Sequence, residues 1–240
     1  MVNVERKGPS VLREALKSKK CVIGLGLFDG ISAKVAASVG FDFLFAKVSQ
    51  VVTQCSDLPI IADANTGFSG PLNIRRTIQF YEHAGVAGCH IEDRVFPKRC
   101  GQLKGKDVVD LQVYLERIRS AGEAHANPDS VIIARTDARN AKSLGGESAS
   151  RDAFDEGVRR LKAAVAAELA LNPVLINVLP DGLTGNLTTA ECNELGFAAA
   201  IYPCTEFIPA MLAMQESYTR LKREGSDLRC CKGKDDCPVL

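Results

Sequence analysis

The chain has no tryptophan, only three methionines and few aromatic residues of any kind. A core must therefore come from aliphatic packing, and Ala, Val, Leu, Ile and Gly supply it, as in repeating α/β folds with apolar parallel strands. Charge of one sign is also lacking: the formal net charge is +1 over 240 residues. That balance argues against a nucleic-acid or anionic-membrane partner. No apolar run is long enough to span a bilayer. No secretory hydrophobic region is expected, because Met1–Lys20 carries Arg6, Lys7, Arg13, Lys17, Lys19 and Lys20 among few apolar residues. Nine cysteines are scattered and odd in number, which fits free thiols in a reducing compartment. A cytoplasmic location is expected, with the mitochondrion as the alternative. Cys230, Cys231 and Cys237 lack paired C-x-x-C spacing and a histidine partner, so they do not read as a zinc site.

Short apolar runs alternate with segments of helical spacing. Strands are expected at Cys21–Gly26, Phe41–Ala46, Leu58–Ala62, Val86–Ile91, Val131–Ala134, Val174–Val178 and Ala198–Tyr202. Helices are expected at Ser10–Ser18, Ile31–Val39, Pro71–Ala84, from Asp110 onward, Asp152–Leu169, near Thr189–Leu195 and at Pro209–Lys222. Pro71 suits a first helical turn, where its missing N–H costs nothing, and Asp110 suits an N-cap. The face of Asp152–Leu169 reads Phe154, Val158, Leu161 and Val165. Alternation of this kind calls for parallel strands joined by right-handed crossovers. The fold class is therefore α/β, a (β/α)8-type barrel shortened by internal deletions. Only seven strands are found, Lys47–Asp57 is a minimal crossover, and the helix before Val174–Val178 leaves no room for an eighth. One barrel domain is expected over residues 1–225, with 226–240 as a tail. A doubly wound sheet remains the alternative, and either architecture sets its site at the strands' carboxyl ends. No G-x-G-x-x-G follows the first strand, so a dinucleotide is not indicated.

Polar residues gather at those carboxyl ends. Glu92 closes Val86–Ile91, and carboxylates placed so can hold a hard cation through oxygen. Asp63 and Asn65 close Leu58–Ala62, Arg135 and Asp137 close Val131–Ala134, and Asn177 lies in Val174–Val178. Cys100, beside Lys98 and Arg99, has a route to thiolate character. Each residue also has a plainer reading. Asp63 could cap a helix, His90 could be a buried structural histidine, Arg135 could pair with Asp137, and Asn177 could be an ordinary strand-end polar residue.

The stretches IADANTGFSG (Ile61–Gly70), HIEDRVFPKRCG (His90–Gly101) and IIARTDA (Ile132–Ala138) form a specific set. FDGISA (Phe28–Ala33), GFDFLFAK (Gly40–Lys47) and NVLPDG (Asn177–Gly182) add to it. Together they resemble the isocitrate lyase/phosphoenolpyruvate mutase superfamily, nearest its fungal branch of oxaloacetate acetylhydrolase-, methylisocitrate lyase- and dimethylmalate lyase-like enzymes. The resemblance implies a barrel whose last helix is swapped between subunits, in a homotetramer or homodimer. It implies Mg²⁺, with Mn²⁺ as the alternative, and a small 2-oxo or 2-hydroxy dicarboxylate as substrate. It assigns Asp63, Asn65 and Glu92 to the metal shell, and His90, Arg135 and Asn177 to the substrate. Lys98 and Cys100 fall on its catalytic loop, with Cys100 as acid/base.

Three departures stand at site positions. Asn65 replaces a carboxylate of the usual DADTG, Arg94 replaces the glutamine of HIEDQ, and Gln102 replaces the histidine of KRCGH. The function expected is a Mg²⁺-dependent C–C lyase or hydrolase. The alternative is a catalytically silent homologue that keeps the barrel for assembly or regulation.

Overall fold

The computed structural model describes residues 8–18, 20–46, 57–98, 105–144, 151–168, 173–182 and 185–226. Seven parallel strands form one sheet: β1 (Val22–Leu27), β2 (Phe43–Ala46), β3 (Ile60–Asp63), β4 (Gly88–Glu92), β5 (Val131–Arg135), β6 (Leu175–Asn177) and β7 (Ala199–Tyr202). Their order across the sheet is β5-β4-β3-β2-β1-β7-β6. All seven expected strands are present. The sheet is curled, as in a barrel, but β5 and β6 are its two edges among the described residues. Among the described residues the sheet is thus open between β5 and β6, the stretch of sequence that left no room for an eighth strand.

The helices are α1 (Gly8–Lys17), α2 (Gly30–Val39), α3 (Pro71–His83), α4 (Leu111–Ala124), α5 (Arg151–Glu168), α6 (Thr189–Glu194) and α7 (Phe207–Glu224). Asp29 caps α2 by accepting from Ser32 N–H, with Ser32 reciprocating in a capping box. Thr188 and Glu191 do the same for α6. Pro71 opens α3 as expected. Asp110 stands at the N-cap of α4, but its side chain makes no capping bond. Phe154 does not join the buried face of α5. It is exposed, and Arg151 stacks over its ring.

The core has two layers. Inside the curl, Leu12 and Leu16 of α1 plug the end where strands begin, packing with Phe43, Ile61, Val131 and Ile201. Arg13 holds that plug by donating to the Asp129 and Ser130 carbonyls. Outside, Ile74, Ile78 and Tyr81 of α3 and Tyr114, Leu115 and Ile118 of α4 bury β3 and β4. Helix α7 is unlike the others: none of its residues is buried. The crossover 47–56 and the tail 227–240 lie outside the described residues.

Candidate active site

Strand register builds the site. In β3–β4 Asp63 pairs with His90, and in β4–β5 Glu92 pairs with Arg135. Side chains alternate across a strand, so His90 and Glu92 share a face, as do Ile133 and Arg135, and Leu175 and Asn177. Ile61, Ile133 and Leu175 pack inside the curl, and that face carries Asp63, His90, Glu92, Arg135 and Asn177 at or near the strands' carboxyl ends. Five expected site residues are brought to one rim.

His90 Nε2 lies 2.9 Å from Asp63 Oδ1, and its ring stacks on Phe45 at a centroid distance of 5.2 Å. The histidine is therefore oriented on both its edge and its face. Asn65 adopts a left-handed backbone, φ 51°, which asparagine tolerates better than most residues. Its N–H donates to Asp63 Oδ1 at 2.8 Å, and its carbonyl accepts from Glu92 N–H at 2.8 Å. The loop after β3 is thereby stitched to the end of β4. Burial pushes the Asp63 carboxyl up, but the His90 bond and charge, Lys98 and the Asn65 N–H outweigh it. The net result holds the carboxyl well below the usual range.

Glu92 is fully buried. Lys98 Nζ stands 2.7 Å from Oε1 and Arg135 Nη1 3.7 Å from Oε2, yet neither oxygen receives a well-aligned hydrogen bond among the described residues. Arg117 fixes the backbone beneath by donating to the carbonyls of Glu92 and Arg94. Arg135 also faces Asp137 at 3.4 Å, so the pairing with Asp137 and the position at the rim hold together. Its contacts at 3.4–3.7 Å are long for charged hydrogen bonds. The guanidinium is held in place without being saturated.

Two buried cations behind the rim, Lys106 and Arg160, were not picked out from sequence. Lys106 Nζ lies 3.6 Å from Asp137 Oδ1, opposite Arg94 Nε at 3.6 Å from Oδ2. Burial raises the Asp137 carboxyl, but Arg135, Lys106 and Arg94 overcome it and depress the value. Asp93 accepts from Thr136 Oγ1 at 2.6 Å, Asp137 N–H at 3.0 Å and Arg160 Nη1 at 3.2 Å. It locks the ends of β4 and β5 to α5. Neither Lys106 nor Arg160 lies in a recognisable motif, and no local pattern marks them. Cys100 lies outside the described residues. Cys21, Cys89 and Cys192 are buried and free, and burial pushes the Cys89 thiol up to about 12; these three pack and do not react.

Among the described residues, no group of three His, Cys, Asp or Glu side chains gathers as a metal cage. Mg²⁺ does not require one. It keeps several waters and is commonly held by one or two carboxylates. Asp63 and Glu92, with the Asn65 amide, form an all-oxygen donor set, and the buried, poorly hydrogen-bonded Glu92 carboxylate is the observation that fits a hard cation.

Comparison with known proteins settles the kinship. The profile of the phosphoenolpyruvate phosphomutase family matches residues 38–171. The chain is 31% identical over 253 residues to the 2,3-dimethylmalate lyase of Eubacterium barkeri, spanning 89% of this chain and 86% of that one. The chain belongs to the phosphoenolpyruvate phosphomutase family. The 2-methylisocitrate lyase of Escherichia coli is 35% identical over 196 residues, with 77% of this chain and 66% of that enzyme covered. A crystal structure of 2,3-dimethylmalate lyase superposes with a TM-score of 0.80 at 32% identity, covering 98% of this chain and 93% of that one. Oxaloacetate acetylhydrolase with 3,3-difluorooxalacetate gives 0.75 at 33%, covering 97% and 91%. The Eubacterium match runs over 253 residues while using only 89% of a 240-residue chain. Family members therefore carry residues inside the matched span that this chain lacks, in keeping with the open sheet.

Proposed function

We propose that this chain is a Mg²⁺-dependent C–C lyase or hydrolase acting on a small 2-oxo or 2-hydroxy dicarboxylate. The observation that carries the reading is the strand register, which sets Asp63 beside His90 and Glu92 beside Arg135 on one inward face. The relatives named as 2,3-dimethylmalate lyase, 2-methylisocitrate lyase and oxaloacetate acetylhydrolase support it.

Asp63, Glu92 and Asn65 would hold the metal. When bound, Mg²⁺ supplies Lewis-acid stabilisation of the negative charge that develops beside the 2-oxo or 2-hydroxy carbon. Arg135 binds a substrate carboxylate, because its planar fork matches that group and its present contacts are loose enough to be exchanged. His90, fixed by Asp63 and Phe45, offers a directed ring to a substrate oxygen. Asn177 adds a hydrogen bond across the rim. Lys98 neutralises Glu92 and leads into the segment that carries Cys100, the proposed proton carrier. Mn²⁺ is the alternative metal.

A homodimer or homotetramer is part of the same proposal. On α7, Phe207, Met211, Met214, Tyr218 and Leu221 are all exposed and recur at spacings of four and three. That stripe suits burial against a partner's helices. A single domain over 1–225 and a cytoplasmic location complete the reading; no helix among the described residues is long and apolar enough to cross a membrane.

A silent homologue is the second reading. What favours it is Lys98, whose ammonium stands 2.7 Å from Glu92, together with the neutral Asn65. One experiment separates the two. The purified chain is offered oxaloacetate, 2-methylisocitrate and 2,3-dimethylmalate with Mg²⁺, and the 2-oxo acid consumed or formed is followed. Turnover abolished by EDTA and cut sharply in Cys100→Ser supports the enzyme. A folded chain with no turnover and no Mg²⁺-dependent rise in melting temperature supports the silent reading.

A further inference from the structure

The segment before α4 is mounted firmly against the end of β4. Arg94 pairs with Val108 in an antiparallel bridge, and Val95 N–H donates to the Asp107 carbonyl at 3.1 Å. The Lys106 carbonyl accepts from Lys142 N–H at 2.7 Å. The main chain around Lys106 is therefore held from two sides. Its buried side chain reaches Asp137, a carboxylate that is already engaged. Arg94 Nε faces Oδ2 at 3.6 Å, while Arg135 Nη2 and Lys106 Nζ share Oδ1 at 3.4 and 3.6 Å. One negative charge is divided among three cations, each at more than charge-assisted hydrogen-bond distance. Glu92, the other carboxylate beside Arg135, already has Lys98 at 2.7 Å. Arg135, Lys106 and Asp137 line the same cavity as His90 and Asn177.

We propose that Lys106 is a substrate-binding residue, taking one carboxylate of the dicarboxylate while Arg135 takes the other. The inference rests on the dicarboxylate reading above and deepens it by naming a second cation of the site. Lys106 and Arg135 stand on one oxygen, so they are near neighbours. Two carboxylates joined by a short backbone can bridge them. A monocarboxylate engages only one of the two cations. Asp137 faces two guanidinium groups without the lysine, so Lys106 is not needed to neutralise it. Burial, with Arg94 and Arg135 close by, holds the Lys106 ammonium below the usual lysine value even against Asp137. An arriving carboxylate adds negative charge where these cations repel one another. Lys106 thus sets the preference for two carboxylates over one.

The test titrates two ligands calorimetrically into the full chain with Mg²⁺. One is malate; the other is 2-hydroxybutyrate, in which a methyl group replaces the second carboxylate. Wild type binds malate about 10- to 100-fold more tightly, the range for a hydrogen bond between charged groups. Lys106→Gln, whose amide can still donate to Asp137, brings the two affinities to within about 3-fold by weakening malate alone. Lys106→Met does the same, and Lys106→Arg keeps most of the preference. Variants that weaken both ligands alike, or neither, overturn the inference and leave the dicarboxylate reading standing, because a lysine serving only Asp137 would act so. A wild-type preference below about 3-fold overturns it without any variant. No binding of either ligand overturns the dicarboxylate reading, and the inference with it.

Discussion

Asp93 offers the sharpest test of how the rim is held. It is fully buried and accepts from Thr136, the Asp137 N–H and Arg160. Arg160 is itself buried and also donates to the Val109 carbonyl at 2.7 Å and to Glu156 at 2.8 Å. Asp93→Asn keeps the shape and removes the charge. It also turns one acceptor into an NH₂ group facing a donor: the Asp137 N–H loses its acceptor in one amide orientation, Thr136 and Arg160 lose their shared one in the other, and in both the Arg160 cation loses its counter-charge. Breaking one side of a buried pair costs about 3–5 kcal/mol. For a chain of this size each kcal/mol moves the melting temperature by roughly 2–4 °C, so Asp93→Asn should melt about 10 °C lower. The same bonds fix the Asp137 N–H, two residues from Arg135, so substrate affinity should weaken along with stability. Replacing both members, in Asp93→Asn with Arg160→Met, removes the stranded cation and should recover most of the lost stability. Calorimetric or denaturant unfolding of the single and double variants decides the point. A single-variant loss below about 1 kcal/mol, or a double variant no better than the single, would refute the buried pair as the clamp between β4, β5 and α5.

Three further outcomes are expected. Gly88→Ala places a Cβ 2.6 Å from the Val131 carbonyl oxygen and 3.1 Å from the Val131 Cβ; β5 must shift, and urea unfolding should show a loss of about 2 kcal/mol. The Tyr114 hydroxyl is buried with no hydrogen-bond partner among the described residues, so Tyr114→Phe should be neutral or raise stability by about 1 kcal/mol, and a clear loss would reveal a partner. Asp137 is held below the usual carboxylate value by Arg135, Lys106 and Arg94 once burial is overcome. Its contribution is complete above the unfolded value and is lost as pH falls through the folded one. Acid unfolding curves of Asp137→Asn should therefore be flatter than wild type below about pH 4.

Much of the fold was legible because its signals are local. Each strand is a short apolar run, and the observed bounds of β1 to β7 fall within a residue or two of those runs. Pro71 marked the start of α3 from its chemistry alone. The weak places had non-local causes. Phe154 follows the helical spacing of Val158 and Leu161, yet α5 buries the neighbouring face through Ala153, Arg160 and Ala164, and Arg151 covers the Phe154 ring instead of the core. Asp110 has the right type and position for a cap, but a cap also requires a side-chain rotamer that the spacing of residues does not set.

The same division runs through the site. Asp63, Asn65, His90, Glu92, Arg135 and Asn177 were visible as polar residues at strand ends within recognisable motifs, because that chemistry depends on residue type and short spacing. Lys106 and Arg160 were not. Lys106 precedes α4 and Arg160 lies within α5, and only the packing of these elements on β4 and β5 brings them to Asp137 and Asp93. By itself the sequence determined the family, the strand count and the donor types, since periodicity and motif chemistry are properties of neighbouring residues. Tertiary structure alone decided that Asp63 faces His90, that Glu92 faces Lys98 and Arg135, and that β5 and β6, the two sheet edges among the described residues, line one cavity. Those facts depend on strand register and sheet closure, which join residues far apart in the chain.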